Sequence, residues 1–298
     1  MNMTSKFPAT ERGFTLVEAI VVMVVTSILA GVMVLFIRKP VQNYVDAAGR
    51  ADMSDVADLA LRRMTRELHG ALPNSIRATT IGGVALLEFI PTKAGGTYLA
   101  AEDNAGTPYL DFVQPSGAPP AAFYTFSVLG SMPAAPYAIS NGDYVVVYNL
   151  GTGFARADAY SKTAGLMNRA TVTNVSGSVV TMDSNPFAVT APAVPNSSPT
   201  HRFNTVSQPV TFRCAPNANG VGELRRYWNY DFQPAQVDPS TVANSNALLA
   251  SYVTNCTFTY NSTVNLPHGL VGLSLALGRA NSAESVTLTQ QVNVENTP

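Results

Sequence analysis

The stretch GFTLVEAIVVMVV, Gly13–Val25, decides how this chain is read. Apart from Glu18 it is dominated by apolar residues, and the apolar run continues to Ile37, where Arg38, Lys39 and Pro40 close it. As a helix, Phe14–Ile37 reaches roughly 36 Å at about 1.5 Å per residue, enough to cross a hydrocarbon core of about 30 Å. The residues ahead of it are few and polar, with Lys6, Glu11 and Arg12. A secretory signal has a shorter apolar region with a small-residue cleavage site after it. Here no A-x-A site follows, and the small residue Gly13 stands before the run. A carboxylate deep in a bilayer costs on the order of 3 kcal/mol, less near a helix end. Glu18 is therefore either an accident in a signal anchor or a group with a task.

Gly13, Phe14, Thr15, Leu16, Val17 and Glu18, followed by about twenty mostly apolar residues, resemble at every position the class III prepilin signal of type IV pilins and type II secretion pseudopilins. The resemblance implies a leader of residues 1–13, cleavage between Gly13 and Phe14 by a membrane-embedded prepilin peptidase, and N-methylation of Phe14. It also implies an inner-membrane, single-pass protein that enters a pilus or pseudopilus, with the lipid bilayer contacting residues 14–38. Physics then gives Glu18 its task. The new amine of Phe14 is cationic, and a carboxylate and an amine that are each costly in hydrocarbon offset one another when paired between neighbouring subunits. Glu18 is expected to set the register of assembly, as buried polar groups do in coiled coils.

The rest of the composition bounds the partners. The chain has 298 residues, a formal net charge of −1 and 12% charged residues, a balance that argues against nucleic acid or an acidic surface as the main partner. Cys214 and Cys256 are the two cysteines. Without a CxxC they suit one disulfide in an oxidising compartment better than zinc; two buried thiols are the alternative.

Beyond Pro40 the helical pattern continues through residues 39–73. Val56, Ala57, Ala60, Leu61, Met64, Leu68 and Ala71 form one apolar stripe at three- and four-residue spacing. Asp58 with Arg62 and Arg63 with Glu67 are i,i+4 pairs, and Gly70 and Pro73 stop the helix. Pro40 and Gly49 are points of bending or loosening. Such a helix, apolar all round in its membrane-spanning first half and amphipathic in its second, calls for a sheet against the amphipathic face.

Residues 74–298 supply strands, making a β-rich globular domain that the resemblance places in the periplasm. GVALLEFIP and GDYVVVYNLG are β-rich runs bounded by Gly and Pro, RATVTNVSGSVVTMDS reads as a hairpin turning at Ser176-Gly177, and PVTFRCAPNANGVGELRRYWNYDF reads as a second hairpin. LLASYVTNCTFTYN, GLVGLSLALGR and ESVTLTQQVNVEN follow as strands. A bridge between Cys214 and Cys256 would tie neighbouring strands. Ala94–Ala122 and Ala188–Thr200 read as loops, and the insertion between Thr92 and Asn141 elaborates the domain. The expected fold is α+β and type IV pilin-like: a long N-terminal helix packed on an antiparallel β-sheet domain with large insertions.

NGDYVVVYNLG, AYSK, NRA, HRFNTVSQPVTFRC, GELRRYWNY, NCTFTY and ESVTLTQQVNVENTP, in this order, resemble the MshO-type minor pilins of the MSHA pilus system. This implies a low-abundance subunit that helps prime or cap the filament, with other major and minor pilins and the inner-membrane assembly platform as partners. The J-type minor pseudopilin of type II secretion is the more distant likeness, and a tip adhesin with an exposed aromatic pocket is a further possibility.

Catalytic chemistry is not legible. His69, His201 and His268 are scattered, and there is no HExxH, GxSxG, P-loop or calcium-binding loop. GTGFAR at Gly151 lacks the third glycine of a dinucleotide fingerprint and reads as a turn. Arg225, Arg226, Tyr227, Trp228, Asn229 and Tyr230 mix base and aromatic, which suits sugar or single-stranded nucleic acid; the alternative is a strand with Leu224, Trp228 and Tyr230 on one mixed face. No enzyme activity, metal or cofactor is expected.

Overall fold

A computed structural model describes residues 13–103, 108–219, 221–261, 267–279 and 284–298. The leader expected over residues 1–13 lies outside the described residues, apart from Gly13. The chain divides into two compact units, Met1–Asp52 and Met53–Pro298, and one helix, α1 (Leu16–His69), runs through both in sequence. Its start follows from the apolar run and its end from Gly70, the first residue after it, with Pro73 close behind. The helix passes through Pro40, whose missing N–H removes one intrahelical bond.

In the second unit the helix closes the core. Met53, Ala57, Ala60, Leu61, Met64 and Leu68 are buried, a spacing that keeps one face toward a partner. Val56, expected in this stripe, is 37% exposed, and Met53 takes the inner place one turn earlier. Asp58–Arg62 and Arg63–Glu67 form the anticipated i,i+4 ion pairs at 2.7 and 3.1 Å.

The partner of that face is an antiparallel sheet. Among the described residues it has seven strands: β1 (Arg77–Ile81), β2 (Val84–Phe89), β9 (Val210–Ala215), β10 (Gly222–Trp228), β11 (Ser245–Asn261), β12 (His268–Gly278) and β13 (Ser285–Glu295), hydrogen-bonded in that order. Alternation along the strands sends Leu87, Phe89, Phe212, Leu224, Leu275 and their neighbours to the helix side, where they form one cluster with α1. Burying each such residue contributes on the order of 1.5–3 kcal/mol.

Between β2 and β9 the polypeptide leaves the sheet and builds a second body. β3 (Thr92–Tyr98), β4 (Thr125–Leu129), β5 (Tyr144–Val146), β6 (Arg169–Ser176), β7 (Val179–Met182) and β8 (Arg202–Val206) close into a barrel in the order β3-β4-β7-β6-β5-β8. It has its own core of Tyr98, Phe126, Val145, Val172, Val180 and Phe203. The expected insertion, Thr92 to Asn141, is therefore too short, because the inserted body runs from Thr92 to Val206. The reading of Ala94–Ala122 as a loop is corrected in the same way: Ala94–Tyr98 lie in β3, and Tyr98 is fully buried. Glycines at 95 and 96 disguised the strand, and Gly96 is needed because a Cβ would collide with the Phe203 ring. The β6–β7 hairpin turns where expected, with Gly177 at φ +59°.

Two devices hold the sheet's other layers. Cys214 and Cys256 form a disulfide with Cα atoms 6.5 Å apart. The strands it joins, β9 and β11, are not neighbours as expected but flank β10. They converge beyond the start of β10, where Asn217 N–H donates to the Val253 carbonyl and Gly222 leaves room a Cβ would fill. On the face away from α1, the segment after β10 folds back as a strap. Asn229, at φ +62°, turns the backbone, so Tyr230 leaves the helix-side face that Leu224 and Trp228 share. The Tyr230 hydroxyl instead donates to Glu88 at 3.0 Å. Arg77 pairs with Glu88 and donates to the carbonyls of Gln233 and Pro234, while Arg213 grips Asp238 through two bonds. Burial pushes the Glu88 carboxyl above its ordinary range, and Arg77 and Tyr230 pull it back only in part.

The disulfide closes a loop of about 43 residues, and its loss removes roughly 4 kcal/mol in the chain-entropy account. Cys214→Ser with Cys256→Ser should therefore lower the denaturant midpoint of the full-length protein in detergent. The unreduced parent should show no free thiol by mass-tagging; two titratable thiols would contradict the bridge.

Asp238 gives the strap a pH dependence. Burial works to raise its pKa, but the hydrogen bonds from Arg213 and Ser240 and the Arg213 charge outweigh burial and hold it below 3.8. A carboxyl depressed in the folded state stabilises above its unfolded pKa and loses that contribution as pH falls through the folded value. The stability gap between parent and Asp238→Asn, measured by urea titration, should be constant above pH 3.8 and narrow below it.

Candidate functional site

The first unit presents a surface unlike anything in the second. Phe14, Leu16, Val17, Ile20, Val21, Met23, Leu29, Met33 and Phe36 are all exposed, and none of the most apolar 18-residue window, of mean hydropathy 2.9, is buried. A helix apolar on every side is stable only in lipid or among other helices. The two hydroxyls in mid-span are satisfied within the helix. Thr26 Oγ1 donates to the Val22 carbonyl at 2.7 Å, and Ser27 Oγ to the Met23 carbonyl at 2.7 Å, as a medium without water requires.

At the head of this surface the structure places Gly13, Phe14 and Glu18 together. Gly13 and Phe14 are exposed and lie just before the helix, and Glu18 lies exposed in its first turn. The Gly13–Phe14 bond lies outside the helix and is accessible, and a carboxylate in the first turn is favoured by the helix dipole. Thr15 supplies a part that the sequence reading missed. Its Oγ1 accepts the backbone N–H of Glu18 at 3.3 Å, and its carbonyl accepts the same N–H at 3.1 Å. Thr15 is the N-cap and Glu18 the third helical residue, the spacing of a capping box. The signal was present as T-x-x-E but was masked by the apolar run around it. Cys214 and Cys256 lie apart from this segment in sequence and belong to the folded unit.

The other residues singled out in the sequence are dispersed. His69 ends α1, His201 approaches Glu102 at 3.0 Å, and His268 opens β12 with Glu295 at 3.6 Å. Gly151 lies in a turn at φ +106°. Arg225 pairs with Glu223, whereas Arg226 pairs with Glu67 of α1.

Residues 9–34 match the family model described as the prokaryotic N-terminal methylation motif. No curated protein and no solved structure matches the sequence. The motif, the long apolar helix and its packing on antiparallel β-sheets support a type IV pilin or pseudopilin, a class of structural subunits processed by prepilin peptidase and assembled with other pilins.

Removing an N-cap hydroxyl typically costs about 1 kcal/mol. Thr15→Ala should accelerate amide exchange at Glu18 about fivefold in micelles, by hydrogen–deuterium exchange, and Thr15→Ser should restore protection. Equal exchange in all three proteins would mean that Thr15 does not cap the helix.

Proposed function

We propose that this protein is a minor pilin of a type IV pilus of the MSHA type. Prepilin peptidase cuts between Gly13 and Phe14, Phe14 is N-methylated, and the mature protein is held in the inner membrane by residues 14–38 with residues 74–298 in the periplasm. The observation that carries this reading is Glu18, an exposed carboxylate in the first turn of a helix whose apolar surface is otherwise uncovered. Such a group is a penalty for a lone subunit and an asset in a bundle, where it meets the Phe14 amine of a neighbour. The minor role is supported by bulk: the sheet carries an inserted barrel that would crowd a filament built of this subunit alone. Residues 39–73 bridge the membrane segment and the sheet, and the subunit helps prime or cap assembly at the membrane platform. The J-type pseudopilin reading rests on the same helix and an elaborated sheet domain, and the genes beside this one discriminate the two.

Glu18→Ala should leave the mature N-terminus at methylated Phe14, by mass spectrometry, and leave the folded unit unchanged. Truncating one member of a buried charge pair costs about 3–5 kcal/mol, so filament number and co-purification with other minor subunits should fall at equal protein levels. Unchanged piliation and co-purification would remove the assembly role. An intact Met1, or cleavage beyond Ile37, would remove the prepilin reading itself.

A further inference from the structure

A cleft of about 590 Å³ opens where the barrel joins the sheet. The polypeptide passes between the two bodies at Ile90-Pro91 and at Ser207-Gln208-Pro209. Ser207 and Gln208 line the cleft on that side, Asp143 lines it from the barrel, and Arg226, Trp228 and Asn229 line it from the end of β10. A cluster including Leu72, Ile90, Val146, Tyr160 and Phe232 packs the barrel against the sheet, and the Arg226 guanidinium lies 5.0 Å from the centre of the Trp228 ring. A pocket of this size at a junction between two bodies is where small ligands commonly bind.

The chemistry of the walls selects the ligand. Both charged groups are neutralised in ion pairs: Arg226 Nε with Glu67 at 2.7 Å, and Asp143 with Lys93 at 2.7 Å, the latter aspartate also accepting the Ser140 N–H at 2.8 Å. The side chains of Ser207, Gln208 and Asn229, and the indole N–H of Trp228, have no hydrogen-bond partner among the described residues. None of them is a buried unsatisfied group, and all four residues line the cleft. Two amides, a hydroxyl and an indole N–H offer neutral donors and acceptors side by side, next to aromatic surface. A phosphate or carboxylate would need a cation without a carboxylate partner, and Arg226 has Glu67. Single-stranded nucleic acid would need a basic groove, yet Arg225 is tied to Glu223 and Asn246.

We propose that this cleft is a binding site for a neutral saccharide, whose vicinal hydroxyls meet the amides of Gln208 and Asn229 beside Trp228. The site is built wholly within the folded unit and does not depend on filament assembly. It absorbs the base–aromatic run at Arg225–Tyr230, whose Trp228 and Asn229 face the ligand while Arg226 holds the indole in place.

Trp228 is the one tryptophan of the sequence, so its fluorescence reports this cleft alone. The mature full-length protein in a sugar-free detergent would be titrated with methyl mannoside, lactose, maltose and diacetylchitobiose, with inorganic phosphate and a ten-residue oligothymidylate as comparators. Saturation-transfer NMR on the same samples serves as a second readout. A saturable response to at least one saccharide, without a response to phosphate or oligothymidylate, is expected. Gln208→Ala combined with Asn229→Gly should weaken that binding about tenfold, the size expected for two lost neutral hydrogen bonds, at unchanged melting temperature. Glycine is chosen at 229 because the backbone there has φ +62°, and Gln208→Ala alone serves should the pair fold poorly. No saturable response by either readout to any of the four saccharides would overturn the proposal. So would equal binding by the folded variant, or stronger binding of phosphate or oligothymidylate.

Discussion

The seating of Met53, Ala57, Met64 and Leu68 against the inner face of the sheet is the contact on which the rest depends. A seven-stranded antiparallel sheet with one apolar face needs a cover, and α1 provides it. The same helix is apolar all round in its first unit, where under the proposed function lipid or neighbouring helices are its solvent. One continuous element thus meets two different burial requirements. Its sequence shows the change directly, from a run before Arg38 that is apolar on every side except at Glu18, Thr26 and Ser27 to a one-sided stripe with i,i+4 ion pairs after Met53.

The barrel is joined to the sheet through polar groups as well as through apolar packing. Asn149 donates to the Pro73 carbonyl and accepts from Ala159 N–H, Asn74 reaches the carbonyls of Asn149 and Asn296, and Tyr160 donates to the Ser75 carbonyl. These bonds satisfy backbone carbonyls just after α1, at Pro73 and Ser75, and in the barrel and C-terminal residues that meet there. Arg77 adds a guanidinium stacked 3.6 Å from the centre of the Tyr160 ring. The end of the helix, the last residues of the protein, the barrel and the strap therefore meet around residues 72–77. Directional bonds of this kind specify one docking geometry where apolar contact alone would tolerate several.

Glu18 and Glu88 show how one residue type serves opposite ends. Glu88 is buried with Arg77 and Tyr230 in place, a satisfied network inside one molecule. Glu18 is exposed at the head of an uncovered apolar helix, and under the proposed function its partner lies on another subunit. A carboxylate completed within the fold specifies the domain; one left to be completed outside it specifies an assembly.

The long apolar helix, the placement of Glu18 in its first turn and the amphipathic half of α1 were legible in the sequence because local rules decide them. Length and hydropathy set the span, 3.6-residue periodicity sets the buried face, and Gly70 with Pro73 sets the stop. The strands β11, β12 and β13 were equally plain from their alternation. What only the tertiary structure decided are features made by pairing between distant segments. The barrel closes through β3 and β8, more than a hundred positions apart, and the glycines that let β3 approach Phe203 read as a loop in isolation. The disulfide spans β10 because β9 and β11 converge past its end, and no local pattern encodes that convergence. Tyr230 leaves the Leu224–Trp228 face because Asn229 adopts a left-handed conformation that the Glu88 and Thr211 contacts reward. Periodicity records which side of an element is wet, whereas the partner on the dry side is chosen by the whole sequence.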